Sequence, residues 1–127
     1  MNENELSKLI FDCCFKIHRN LGAGLFESVY EEILAYELSK KNLNFVRQKA
    51  ISLKYGNIKL GAAFKADFVV EKKVIIELKS VEKILTVHKK QLLTYLKITS
   101  CKLGLLINFN TELLKDSIHR VVNNLWF

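Results

Sequence analysis

Apolar positions recur with a helical period in three segments of the chain. In residues 4–20 an apolar residue returns every three or four positions, at Leu6, Leu9, Ile10, Cys13 and Ile17. A stripe this dense predicts a mostly buried helix, which ends where Gly22 and Gly24 follow. Leu25–Lys41 and Thr86–Thr99 carry shorter stripes and predict two further helices.

Between and after these helices, shorter runs rich in β-branched and aromatic residues predict strands. The predicted strands are Phe45–Tyr55, Ile58–Leu60, Phe68–Val70, Val74–Leu78, Lys102–Phe109 and Ser117–Val122. Gly56-Asn57 is a typical turn between the first two, and the charged break Glu71-Lys72-Lys73 separates the next two.

The predicted order is α-α-β-β-β-β-α-β-β, within one domain spanning residues 1–127. The fold class is therefore α/β in the broad sense of mixed helices and strands. More narrowly, we expect an α+β protein with one mixed sheet and helices packed against it. The fourth and fifth predicted strands are joined through a helix, so we expect them to be parallel, with a right-handed connection.

Three charged residues interrupt the apolar strands in the middle of the chain: Asp67, Glu77 and Lys79. Glu77 and Lys79 are two apart and share one face of a strand whose other residues are apolar. Burying such charges is costly unless they are paired or bind a metal. The pattern leaves two interpretations open: a structural ion pair between Glu77 and Lys79, or a divalent-metal site formed by Asp67 and Glu77 with Lys79 beside it.

The metal interpretation makes a demand on strand register. A two-residue turn at Lys72-Lys73 would place Asp67 opposite Leu78 and turn its side chain away from Glu77. A shared metal therefore requires a three-residue connection, or a bulge or kink near Asp67.

Composition places the chain among compact proteins without linkers. Half of the 127 residues are hydrophobic, with five glycines and no proline. Membrane association is not expected, since no apolar segment is long enough to span a bilayer and the N-terminus is acidic rather than signal-like. Three cysteines, with Cys13 and Cys14 adjacent in an apolar helix, fit buried structural thiols and predict a cytoplasmic protein.

The charge is strongly positive, at +7, and lysine supplies 17 of the 20 basic residues. Such a balance is typical of proteins that attract a polyanion such as nucleic acid. It is equally compatible with a lysine-rich surface that only maintains solubility.

Four motifs occur in an order that resembles the GxxExxY family, a small branch of the PD-(D/E)XK nuclease superfamily. They are Gly24-x-x-Glu27-x-x-Tyr30, Ala66-Asp67, Glu77-Leu-Lys79 and Gln91-Leu-Leu-Thr-Tyr95. The similarity extends over nearly the whole chain. It implies a restriction-endonuclease-like αβββαβ core preceded by an extra N-terminal helix.

The resemblance also implies roles for individual residues. Asp67 and Glu77 match the metal-binding acids, with the Leu78 backbone carbonyl as a further ligand, and Lys79 matches the catalytic lysine. Glu27 matches the catalytic acid of the first core helix and is a candidate metal ligand. His18 is a second candidate ligand, although a histidine on an apolar helix face is more often a hydrogen-bonded core residue. The residues that would position nucleic acid are Gln91, Tyr95, Lys89 and Lys90.

The function implied is a nuclease that depends on Mg²⁺ or Mn²⁺ and hydrolyses DNA phosphodiesters with a metal-activated water. Two alternatives keep the same fold: a catalytically weak or silent nucleic-acid-binding module, and an interaction protein that docks through Leu125-Trp126-Phe127. The sequence leaves the formation of a homo-oligomer open.

Overall fold

The structure, a computed structural model, describes residues 1–125. Its elements are α1 (Glu3–Leu21), α2 (Glu27–Lys40), β1 (Phe45–Tyr55), β2 (Ile58–Val70), β3 (Val74–Lys79), α3 (Thr86–Thr99), β4 (Leu103–Asn108), a 3-10 turn (Leu114–Ser117) and β5 (Ile118–Val122). Trp126 and Phe127, which belong to the predicted docking edge, lie outside the described residues.

The five strands form one sheet in the order β1-β2-β3-β4-β5. β3 and β4 are parallel, as expected for strands joined through a helix, and the other neighbouring pairs are antiparallel. From α2 to β4 the order is αβββαβ, and α1 is the extra N-terminal helix. The predicted α+β fold with a mixed sheet is confirmed.

One strand assignment is wrong. The predicted strands Ile58–Leu60 and Phe68–Val70 are parts of a single strand, the 13-residue β2. Gly61-Ala-Ala has low strand propensity and looks like a break. β1 pairs with β2 on both sides of this segment, and the register shifts there between Ile51 and Leu53, so the segment is an irregularity within one strand. Ser117 belongs to the 3-10 turn rather than to β5.

The sheet separates two cores. The major core lies between the sheet and the pair α1–α2, and it includes Leu6, Ile10, Cys14, Leu34, Phe68, Ile76 and Ile107. The minor core lies between the sheet and α3, and it consists of Ala66, Ile75, Leu92, Leu96 and Leu106. β3 is covered on both faces, which explains its almost uninterrupted apolar sequence.

Local signals stabilise the first helix and its cysteines. Asn2 caps α1 by accepting a 2.8 Å hydrogen bond from the Glu5 backbone, while Glu5 accepts one from Asn2 in return. Cys13 and Cys14 are buried free thiols, and burial raises the pKa of both. Among residues 1–125, no helix combines the length and apolarity needed to cross a membrane.

Candidate active site

Glu77 is a carboxylic acid held inside the sheet. It lies in the middle of β3, 9% exposed, and its Oε1 atom has no hydrogen-bond partner among the described residues. Burial, followed by repulsion from Asp67, raises the pKa of Glu77 to about 9, and Lys79 opposes this shift. A buried oxygen without a protein partner is uncommon in folded proteins, and a bound ion, a water or a catalytic role would account for it.

The connection between β2 and β3 brings Asp67 to Glu77. Val70 pairs with Val74 and Phe68 with Ile76, so Glu71-Lys72-Lys73 is a three-residue connection. Continuing this register places Asp67 opposite Glu77, as the metal interpretation requires. Asp67 Oδ2 accepts a 2.8 Å hydrogen bond from the Leu78 backbone amide, which ties the carboxylate to β3.

The alternation of side chains between the two faces of β2 is interrupted at Asp67. Ala66 packs in the minor core and Phe68 in the major core, although residues two apart in a regular strand share a face. On β1, the partner position is Gln48, whose φ of 47° lies in the left-handed region. Such a conformation is uncommon for a residue other than glycine and often occurs at functional sites.

Glu27 approaches the two acids from α2. It is the first residue of that helix, and its side chain is solvent-exposed. Crowding by protein atoms and repulsion from Asp67 nevertheless raise the pKa of Glu27, while Lys79 lowers it. These mutual effects place Glu27, Asp67 and Lys79 in one electrostatic neighbourhood.

Gly24 and Tyr30, which flank Glu27 in the sequence, both shape the loop before α2. The Tyr30 hydroxyl donates a 2.6 Å hydrogen bond to the Gly22 carbonyl and accepts one of 3.3 Å from the Leu25 amide. The Tyr30 ring stacks on Phe109 with centroids 4.4 Å apart. Gly24 has a φ of 100°, which a residue with a side chain rarely adopts. The glycine and the tyrosine thus shape the loop from which Glu27 starts its helix.

Lys79 is half-buried at the end of β3, where the following loop is held in place on both sides. Its backbone carbonyl accepts a 3.1 Å hydrogen bond from Phe109. The next residue, Ser80, donates a 2.9 Å hydrogen bond to the Leu25 carbonyl in the loop before Glu27. The buried Asn108 side chain bonds both backbone groups of Val81.

α3 contributes Gln91 and Tyr95 from the minor-core side. Asp67 and Glu77 are close enough that their charges raise the pKa of Tyr95, after burial as the larger cause. Gln91 interacts with the Tyr95 hydroxyl, and the Tyr95 ring stacks on Phe64 of β2 with centroids 3.6 Å apart. The predicted pair therefore does lie beside the acids.

The two lysines predicted to accompany this pair differ in their surroundings. Lys89 lies near His119 of β5, since its charge, after burial, lowers the pKa of that histidine. Lys90 is exposed on α3 next to Gln91 in sequence. His88 has a structural role, because its Nδ1 accepts a 3.0 Å hydrogen bond from the Leu85 amide at the start of α3.

The contacts do not support two of the interpretations given above. These are His18 as a metal ligand, and a structural ion pair between Glu77 and Lys79. His18 Nε2 lies 2.8 Å from the Thr111 carbonyl, so this nitrogen donates a proton and is not free to bind a metal. Within the described part of the chain, Glu77 and Lys79 form no ion pair within 4 Å, and Glu77 Oε1 has no partner at all. The structural ion pair weighed in the sequence analysis is therefore wrong.

The donor set fits a divalent ion with oxygen ligands. Glu77 offers a partnerless buried oxygen, and Asp67 lies beside it with one oxygen already oriented by Leu78. Over residues 1–125, no three His, Cys, Asp or Glu side chains are grouped closely enough to hold a metal alone. Mg²⁺ commonly binds through one or two carboxylates and keeps several waters, so two acids suffice.

Sequence reasoning missed a second layer of polar contacts around Asp67. The Gln48 amide donates to both Asp67 Oδ1, at 3.1 Å, and Glu31 Oε1. Arg47 in turn donates to Glu31 Oε2 at 2.7 Å and to Glu32 at 2.6 Å. The one available signal was the position of Glu31, which follows Glu27 by four residues on the same face of α2.

Known proteins resemble this chain in sequence and in fold. A family model described as PD-(D/E)XK nuclease superfamily matches residues 4–121. A solved structure of a protein named SSO0001 is similar, with a TM-score of 0.58 and 22% sequence identity. The alignment covers 97% of this chain and 60% of that one, so this chain spans less than two thirds of its structural relative. No curated protein matches.

Proposed function

The chain belongs to the PD-(D/E)XK nuclease superfamily, and from that membership we propose that it is a Mg²⁺- or Mn²⁺-dependent nuclease that hydrolyses DNA. Nucleases of this superfamily generally use divalent metal ions. The finer assignment to the GxxExxY branch, and a cytoplasmic location, are part of the proposal. The observation that carries it is the partnerless, buried Glu77 Oε1 beside Asp67.

In this proposal Asp67, Glu77 and the Leu78 backbone carbonyl hold the ion, with Glu27 near enough to orient a water in its shell. When bound, the ion supplies charge neutralisation for the phosphodiester and lowers the pKa of a nearby water. Lys79 lies close enough to Glu27 and Glu77 to stabilise charge that develops on the phosphate.

Gln91 and Tyr95 then orient the substrate strand. Tyr95 is held rigidly by its stack on Phe64 and lies near both acids, so its hydroxyl can donate to a phosphate oxygen at the site. Lys90 adds an exposed charge on the same helix. His18 is not assigned as a metal ligand in the proposal, because its Nε2 is engaged by Thr111.

The test combines a metal titration with a cleavage assay. Calorimetry with Mn²⁺ is expected to show one binding event that Glu77→Gln abolishes and that Glu112→Gln, at an exposed loop acid, leaves unchanged. Cleavage of single- and double-stranded DNA is expected only with Mn²⁺ or Mg²⁺, and not in Glu77→Gln. Absence of metal binding in the wild type would contradict the proposal.

A second candidate function is a silent nucleic-acid-binding module, favoured by the net charge of +7. Under that alternative, the wild type binds DNA with the same affinity with or without Mn²⁺ and cleaves neither substrate. A metal response in binding or in cleavage decides between the two.

A further inference from the structure

β1 and β2 continue past the acids as a two-stranded ribbon, defined here as residues 50–65. The last pair between β2 and β3 is Phe68 with Ile76, whereas pairing between β1 and β2 continues to Tyr55 and Ile58. In the part of the chain that the structure describes, no third strand borders this ribbon. A two-stranded ribbon on its own is only marginally stable in water, so its length calls for an explanation.

The two faces of the ribbon differ in chemistry. Directly opposed residues share a face, so Leu53 with Leu60 and Tyr55 with Ile58 form an apolar side. Lys54 faces Lys59 on the other side. Lys65, opposite Ala50, follows at the base of the ribbon on the side away from Phe64, beyond the register shift between Ile51 and Leu53. Like charges directly opposed destabilise a sheet, so this pair is unfavourable for the protein alone.

No acidic residue compensates these lysines. Residues 50–65 contain Lys54, Lys59 and Lys65 and neither aspartate nor glutamate. All three lysines are exposed. The local charge of the ribbon is therefore strongly positive, in a chain that is already at +7.

The position of the ribbon relates it to the acids. It begins two residues before Asp67, and its β1 strand runs five residues from Ala50 to Tyr55, roughly 17 Å at about 3.3 Å for each residue of an extended strand. Phe64, at its base, stacks on Tyr95, which lies beside Asp67 and Glu77. The base of the ribbon is therefore fixed to the site while its tip projects into solvent.

We propose that the lysine face of the ribbon binds the phosphodiester backbone of a nucleic acid whose neighbouring segment lies at the acids. This inference rests on the proposed nucleic-acid substrate and adds where that substrate runs. A polyanion is the occupant that charge complementarity selects, because it relieves the repulsion between Lys54 and Lys59. A second copy of this chain would bring the same positive charge to the same surface.

The test compares two triple variants with the same change in net charge. Lys54→Gln, Lys59→Gln and Lys65→Gln remove the charges of the lysine face. Lys8→Gln, Lys102→Gln and Lys115→Gln remove three exposed charges elsewhere. The readouts are fluorescence anisotropy of a labelled 25-base-pair duplex at several salt concentrations, without and with Mn²⁺, and a thermal melt of each variant.

Each phosphate contact contributes about 0.9 to the slope of log affinity against log salt on duplex DNA. The ribbon variant is expected to lose about 2 to 3 from this slope and at least tenfold in affinity at low salt, with unchanged Mn²⁺ binding. The control variant is expected to lose much less. Equal losses in both variants, or none in the ribbon variant, would overturn the inference.

The experiment separates this inference from the proposed nuclease activity. If the wild type binds Mn²⁺ and cleaves DNA but the ribbon variant binds DNA normally, the ribbon inference fails and the nuclease stands. If no cleavage occurs but DNA binding depends on the ribbon, the nuclease fails and the inference stands. A wild type that binds no DNA at low salt overturns both.

A third variant examines the apolar face. Tyr55→Ser with Ile58→Ser is expected to leave the molecular mass in light scattering and the salt slope unchanged. Two results together would identify the ribbon as a self-association surface and overturn the inference. The wild type would be a dimer that this variant converts to a monomer, and DNA affinity would not change when the ribbon lysines are replaced.

Discussion

Gln48 and Asp67 occupy opposite positions on β1 and β2, and the Gln48 amide donates a 3.1 Å hydrogen bond to Asp67 Oδ1. The same amide also bonds Glu31 of α2, so one side chain links a helix and a strand to the candidate metal ligand. Gln48 achieves this with a φ of 47° in the middle of a strand. Strain of this kind costs on the order of 1–3 kcal/mol and is retained where the surrounding structure requires it.

Gln48→Gly is expected to weaken Mn²⁺ binding by about tenfold or more, because partners that orient a ligand typically contribute 10- to 100-fold to metal affinity. Glycine accepts the positive φ without strain, so the thermal stability without metal is expected to change little. Calorimetry and thermal melts measure the two effects separately. An unchanged Mn²⁺ affinity would mean that Gln48 does not orient Asp67.

Asp67→Asn is expected to separate folding from metal binding. Removing this charge relieves its repulsion with Glu27, and with Glu77 once that residue ionises at high pH, so the apo protein should be as stable as the wild type or slightly more so. The stabilisation that Mn²⁺ gives to the wild type should disappear, and any cleavage with it. Thermal melts with Mn²⁺ and with a chelator measure both. A large loss of apo stability would instead assign Asp67 a structural role.

The stability of the metal-free protein should fall as pH rises. The pKa of Glu77 is about 9 in the folded chain and near 4.5 for an ordinary glutamate. Between these values, the folded state keeps a proton that the unfolded state has released, so raising the pH favours unfolding, by up to about 1.4 kcal/mol per pH unit. Glu77→Gln removes this dependence and should be the more stable protein at pH 8.

Chelator-treated wild type and Glu77→Gln, melted in parallel from pH 5 to pH 9, provide the measurement. A difference in melting temperature that widens as pH rises, with the variant the more stable protein, agrees with the raised pKa of Glu77. Mn²⁺ affinity of the wild type should rise over the same range, because binding displaces the Glu77 proton. Parallel melting curves at every pH would show that Glu77 is already ionised.

Tyr30→Phe should reduce stability without reducing metal affinity. The variant loses the 2.6 Å hydrogen bond to the Gly22 carbonyl, which costs about 1 kcal/mol, or roughly 4 °C in melting temperature. Tyr36→Phe, at an exposed position of the same helix, is the matched control and should melt like the wild type. A Mn²⁺ affinity that falls along with stability would give Tyr30 a part in the site itself.

The elements were predictable from sequence where one signal dominated. α3 begins and ends at the predicted residues, and the register of Asp67 against Glu77 follows from a three-residue connection, one of the arrangements that a shared metal was predicted to require. Glu71 and Lys72 make that connection with positive φ, which neither residue type favours. A sequence alone therefore could not choose it over a two-residue turn.

Contacts between elements distant in sequence determine the features that the sequence did not predict. Gly61-Ala-Ala has low strand propensity, and β2 continues past it because β1 pairs with the residues on both sides, with a register shift in between. Strand alternation predicts an ordinary extended conformation at Gln48. Its role depends on a hydrogen bond to Glu31, in a helix distant in sequence. Its positive φ leaves no trace in the residue type.

Lys89 and Lys90 should contribute unequally to DNA binding, although they are adjacent. Successive helical residues are rotated by about 100°, so Lys90 lies about 100° and Lys89 about 160° around the helix from Gln91, which interacts with Tyr95 beside the acids. Lys89 instead lies near His119 of β5. Lys90→Ala is therefore expected to reduce the salt slope by about 0.9 on duplex DNA and Lys89→Ala by less, with no change in sequence preference. Anisotropy titrations of the single variants measure this. Equal slopes for the two variants would mean that nucleic acid covers α3 on both sides, rather than only on the side of Gln91.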